Sequence, residues 1–192
     1  MPETQPFPGL VLGMARFYHD PRGSMRGLLA SAPSDGRLFG YLLIAMAIVL
    51  AGKLARLGAE TPPGDDFMGQ ATAEAAAWLF MLPLIYIGLA AVGTLIARAF
   101  GGAGTFQNGR AAFFWAWLVA SPLIALSAIA PLALRDAPDW SAVLAVQVGP
   151  VFFIWALAQC YAEAFGFRRS WTVFASVCAP ILILFVVFRF AD

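Results

Sequence analysis

Charge is scarce in this sequence: 12% of its 192 residues are Asp, Glu, Lys or Arg, whereas soluble domains average about a quarter. A chain this short has too much surface for its volume to stay dispersed in water with so few charges. Lipid must therefore cover what the fold does not bury. The two signs nearly cancel, leaving a net charge of +1 and a pI near 7.8. No basic field draws nucleic acid, and that class of partner is excluded.

Histidine occurs once, at His19, and cysteine twice, at Cys160 and Cys178. His19 sits beside Asp20 in the N-terminal tail, with no second ligand nearby and no Ser/His/Asp set to join, so no catalytic residue, metal or cofactor is assigned. Both cysteines lie in apolar stretches and read as small core hydrophobes. The run Gly101-Gly102-Ala103-Gly104-Thr105 lacks the lysine and the preceding strand of a phosphate loop, and reads as a flexible turn. Met1 to Ala15 has no basic residue ahead of its short apolar run, so a signal peptide is not expected. Lysine is confined to Lys53 beside eleven arginines, a bias that, with the abundant alanine, points to a GC-rich bacterial genome.

What the sequence does have is apolar length. Hydrophobic residues make up 61% of the chain, and a spanning helix needs about 20 of them in succession to cross roughly 30 Å of hydrocarbon. Five segments meet that need: Leu38 to Leu54, Ala75 to Ala99, Ala111 to Leu134, Trp140 to Ala162 and Ser170 to Phe190. Apart from Lys53 and Arg98 near two of the ends, and Arg189 at the last, they carry no formal charge, as hydrocarbon requires. The connections are short and rich in Gly, Pro and Asp, so successive helices must be antiparallel neighbours. The expected fold is all-α: a polytopic bundle of five transmembrane helices over residues 37–192, preceded by a tail over residues 1–36.

Asp20-Pro21 is a helix start, with the carboxylate capping and the proline in the first turn. Beyond it Arg22 and Arg26 share one face while Met25, Leu28 and Leu29 form an apolar stripe. This short amphipathic helix either lies in the interface or packs under the bundle, and Gly9 to Phe17 is a second such piece. Arg16, Arg22 and Arg26 are candidate contacts for lipid headgroups.

Basic residues set the orientation. With alternating spans one side holds Arg16, Arg22, Arg26, Arg37, Arg98, Arg110, Arg168 and Arg169, and the other Lys53, Arg56, Arg135 and Arg189. Basic residues stay inside, which predicts a cytoplasmic N-terminus and a periplasmic C-terminus in a bacterial inner membrane.

Within the spans polar side chains are few. Gln147, Gln159 and Glu163 are candidate interhelical contacts, Glu163 being close enough to an interface to be solvated or to pair with Arg168. Pro83, Pro122, Pro131, Pro150 and Pro180 each free a backbone carbonyl, which hydroxyls such as Ser121 and Ser127 can satisfy. Small residues four apart mark candidate close contacts: Gly36 and Gly40, Ala47 and Ala51, Gly93 and Ala97, Ala145 and Gly149. The tryptophans lie mostly towards segment ends, where interfacial anchoring is expected.

The polar tail with its Asp20-Pro21-Arg22 helix, the five spans, the loop Ala99-Phe100-Gly101-Gly102-Ala103-Gly104-Thr105-Phe106, the turn Tyr161-Ala162-Glu163-Ala164-Phe165-Gly166-Phe167 and Pro180 resemble the bacterial branch of the Ypt-interacting-protein (Yip) domain family. The resemblance covers most of Arg16 to Phe188. It implies a five-helix membrane domain with a cytoplasmic N-terminus. Eukaryotic relatives bind small GTPases and help to shape secretory-pathway membranes. This chain has only Asp20-Pro21 where they carry an acidic-Leu-Tyr-Gly-Pro stretch, so no GTPase-binding residue is assigned. The expected function is non-enzymatic, through contacts with lipid, with another membrane protein or with a second copy; the alternative is a small transporter or channel using the proline-kinked helices.

Overall fold

The structure is a computed structural model and describes residues 9–62, 66–136, 138–168 and 173. Among the described residues six helices follow one another: α1 (Leu10–His19), α2 (Pro21–Ala30), α3 (Asp35–Glu60), α4 (Phe67–Ala99), α5 (Phe106–Ala133) and α6 (Asp139–Phe165). No strand occurs among the described residues. Of these, α3 to α6 are each long and apolar enough to cross a bilayer. The fifth predicted span, Ser170 to Phe190, lies outside the described residues apart from Val173.

Local chemistry sets the helix ends. Asp20 Oδ1 accepts from the Gly23 N–H at 2.8 Å with Pro21 in the first turn, as the sequence predicts. Ser34, Asp66 and Thr105 likewise cap α3, α4 and α5 through the backbone N–H groups of Arg37, Gly69 and Asn108. At their C-termini α4 and α6 close in the same way. Gly101 and Gly166 take left-handed backbone, with φ of 87° and 76°. The next N–H then turns back, from Gly102 to Ala97 O at 2.9 Å and from Phe167 to Ala162 O at 2.8 Å.

α5 is the axis of the bundle. It packs along α3 on one side and α6 on the other, and touches α4 as well. Its first half is buried without a break from Ala111 to Ser121. Such a helix shows no amphipathic stripe, because every side meets protein. α4 and α6 are covered on one side only, leaving Phe80, Leu84, Leu144 and Val151 exposed on faces that a water-soluble monomer does not maintain.

The prolines have local consequences. Pro122 leaves the Leu118 carbonyl without its backbone donor, and the Ser121 hydroxyl donates to that oxygen at 2.8 Å. In α4 a π-turn over Ala77–Met81 precedes Pro83. Ser121→Ala is expected to lower stability in detergent by about 0.5–1.5 kcal/mol, because the carbonyl then lies buried and unmatched. The loss should shrink in a Pro122→Ala background, where the backbone N–H returns. Equal losses in both backgrounds, measured by thermal unfolding, would show that the hydroxyl does not serve this carbonyl.

Candidate functional site

The two ends of the bundle differ in charge and in covering. At one end lie the start of α3, the end of α4, the start of α5 and the end of α6, joined by three contacts. Arg110 pairs with Asp35 at 3.0 Å. Gln107 Nε2 donates to the Pro33 carbonyl at 3.0 Å. The Ala103 N–H donates to Phe165 O at 3.1 Å.

Across this end runs the α1–α2 hairpin. α2 seats Met25 and Leu28 fully buried against α5 and α6, so of the two arrangements open to its stripe the structure adopts packing on the bundle. α1 reaches further along. Phe17 is fully buried and meets the Trp155 ring edge-on at 6.0 Å, while the Tyr18 ring stacks on Phe152 at 5.6 Å and its hydroxyl donates to Val119 O at 2.7 Å. Ser24 Oγ donates to Gly13 O and ties the two short helices together. Burial pushes the Tyr18 phenol above its ordinary range.

The arginines singled out in the tail fall on the outer side of this hairpin. Arg16 stands 3.9 Å from Asp20 and is partly exposed. Arg22 donates to the Phe167 and Arg168 carbonyls, joining the hairpin to the segment after α6. Arg26 Nε donates to Glu163 Oε1 at 2.7 Å, and the carboxylate pushes the guanidinium further up. Glu163 thus pairs with Arg26, across 137 residues of chain, and not with its sequence neighbour Arg168. An exposed pair of this kind contributes at most about 1 kcal/mol. Its main effect is to fix where the hairpin sits.

The remaining polar candidates are more scattered. Gln147 is exposed on α6 and Gln159 is half-buried. The polar link between α4 and α6 is made by Tyr161, whose hydroxyl donates to Ala90 O at 3.3 Å, beside Thr94 Oγ1 at 2.8 Å from the same oxygen. Nothing in the sequence marks Tyr161 for that role. His19 is exposed and Cys160 is buried among apolar side chains. Trp115 and Trp117 are buried in the bundle, and Trp155 packs beneath the hairpin. Interfacial anchoring therefore does not describe these three. Sequence gives their depth but not which side of the helix meets protein. Among the described residues no three of His, Cys, Asp and Glu gather as metal ligands.

The four long apolar helices, their exposed apolar faces and a buried core without charge among the described residues define a multi-pass helical membrane protein. The Yip1 domain family matches residues 15–190, and the chain belongs to that family. The match takes in the α1–α2 hairpin from Ala15 onward together with the spans. Comparison with curated proteins and with solved structures gave no match.

Proposed function

We propose that this Yip1-domain chain is a non-enzymatic protein of the bacterial inner membrane that works through protein or lipid contacts, as a partner in a membrane complex or as an organiser of the bilayer. The supporting observation is the hairpin clamped over the arginine-rich end of the bundle. It turns Arg16 and Arg26 outward where anionic headgroups or a partner's acidic surface can meet them.

In this proposal Ser170 to Phe190 forms the fifth span, the N-terminus is cytoplasmic and the C-terminus periplasmic. Basic residues at the hairpin end outnumber those at the other, in keeping with the bias that holds such ends inside. Reporter fusions test the orientation: a C-terminal fusion should be active in the periplasm, and activity only in the cytoplasm would overturn the span count or the orientation. Purification in mild detergent tests the function. Defined membrane proteins should co-purify or specific lipids remain bound; a monodisperse lone chain with neither refutes the reading.

A further inference from the structure

At the bundle end remote from the hairpin, α3 and α4 frame an open cavity of about 330 Å³ with Ala128 of α5 at its base. Its polar wall is Lys53, Arg56, Glu60, Gln70 and Glu74. Four of these five are charged, two of each sign. Lys53 pairs with Glu74 across the two helices, and Arg56 with Glu60 at 2.9 Å along α3. The Lys53 ammonium also stands 5.1 Å from the centre of the Trp78 ring, inside the π-turn of α4. Such turns concentrate at functional sites.

Depth makes the cluster unusual. α3 has 26 residues and is about 39 Å long, against roughly 30 Å of hydrocarbon. Lys53 lies seven residues, about 10 Å, before its end, and Glu74 lies seven residues after the start of α4. On α3 this sets Lys53 just inside the hydrocarbon, whereas α4, with 33 residues, sets Glu74 at the border with the headgroups. Charges gathered at that border need a reason beyond solubility.

We propose that this cavity binds the headgroup of a zwitterionic aminophospholipid, phosphoethanolamine, from the leaflet opposite the N-terminal hairpin. Its phosphate takes Lys53 and Arg56, and its ammonium takes Glu60 and Glu74. The wall sums to zero, so a neutral zwitterion exchanges partners with the two resident pairs and leaves no charge unmatched. A net anionic headgroup leaves one carboxylate facing a negative ligand, which is unfavourable beside hydrocarbon. A primary ammonium suits the two carboxylates because it donates hydrogen bonds, which a quaternary ammonium cannot. The aromatic face of Trp78 is already covered by Lys53. The size falls at the small end of ligand pockets, about 300–1,000 Å³.

This inference rests on the reading of the chain as a membrane protein acting through lipid or protein contacts, and the test separates the two. The full chain, delipidated in mild detergent, is titrated with short-chain phosphatidylethanolamine, phosphatidylcholine and phosphatidylglycerol, and with glycerophosphoethanolamine, while tryptophan fluorescence follows thermal unfolding. Phosphatidylethanolamine should stabilise most. Arg56→Gln and Glu60→Gln alter partly exposed side chains, should melt near the parent without lipid, and should each weaken that lipid's effect about tenfold. Arg135→Gln, at the same end but outside the cavity, should not. An equal or greater response to phosphatidylglycerol, or an undiminished response in both variants, overturns the proposal. Glycerophosphoethanolamine binding as tightly as the lipid assigns the cavity to a soluble solute and overturns it too. Native mass spectrometry of the parent chain from mixed-lipid nanodiscs needs no variant: retained lipid should be enriched in phosphatidylethanolamine, and no enrichment overturns the site while leaving the chain a membrane protein.

Discussion

Gly149→Ala should destabilise the bundle in mild detergent by about 1–3 kcal/mol, and Gly149→Leu by more, because α6 has no room for a side chain where it crosses α5. A Cβ at Gly149 would stand 2.6 Å from the Ile124 Cα and 2.6 Å from the Ser127 Oγ. The Ile124 atom is backbone, so relief requires the helices to separate. Separation weakens the packing along the most extensive interface in the fold. Helices in lipid gain little hydrophobic drive to associate and depend on this close fit. Gly40→Ala is the matched control. A Cβ there meets nothing within 4 Å, and the change should be neutral or stabilising by up to about 1 kcal/mol through helix propensity. Thermal unfolding of the two variants checks the contrast, and equal effects would mean that α5 and α6 do not cross at Gly149.

Trp115→Ala should cost about 2–4 kcal/mol. The side chain is fully buried on the axial helix and its ring lies 5.6 Å from that of Tyr41 on α3. Removing it opens a void between α3 and α5 that neither helix can close without disturbing the other face of α5. The figure is set below that of an aqueous core because lipid tails are as apolar as the space the ring leaves, so lost contacts dominate over transfer. Trp115→Phe should recover about half. A loss under about 1 kcal/mol for the alanine variant, in detergent unfolding, would show that the ring does not bridge the two helices.

These contrasts show where sequence reading stops. Gly36 and Gly40 carry the same small-residue spacing as Ala145 and Gly149, yet a Cβ at either of the first two meets open space while Gly149 is pressed on backbone. The pattern permits a close approach and cannot say whether a neighbour is there. Gly52 has no small partner four residues away in sequence, yet a Cβ on it would stand 2.9 Å from the Ala125 backbone. The same limit explains Glu163, which has Arg168 five residues on and instead meets Arg26 of the hairpin.

Span boundaries show a different limit. Leu38 to Leu54 foreshadows α3, but the helix runs from Asp35 to Glu60; likewise Ala75 marks only the interior of α4, which starts at Phe67. Hydropathy marks what must lie in hydrocarbon, whereas backbone hydrogen bonding extends the helix through the interface until a cap such as Ser34 or Asp66 stops it. The polar turns so added carry Arg56, Glu60, Gln70 and Glu74, which is why the cavity at that end left no trace in the hydrophobic pattern. The arginine asymmetry, by contrast, was legible. The contacts gather Arg22, Arg26 and Arg110 at one end and Lys53, Arg56 and Arg135 at the other, as alternating spans require.

By itself the sequence determined the solvent, the helical class, the four described spans and the segregation of charge between the ends. Each follows from composition or from a periodic property of one segment, and lipid acts on segments one at a time. The tertiary structure decided which glycines meet a backbone, that the hairpin covers the α5–α6 groove, and that two ion pairs line a cavity between α3 and α4. Those depend on the rotation of each helix about its own axis, which is set jointly by all its neighbours and is written in no single stretch of chain.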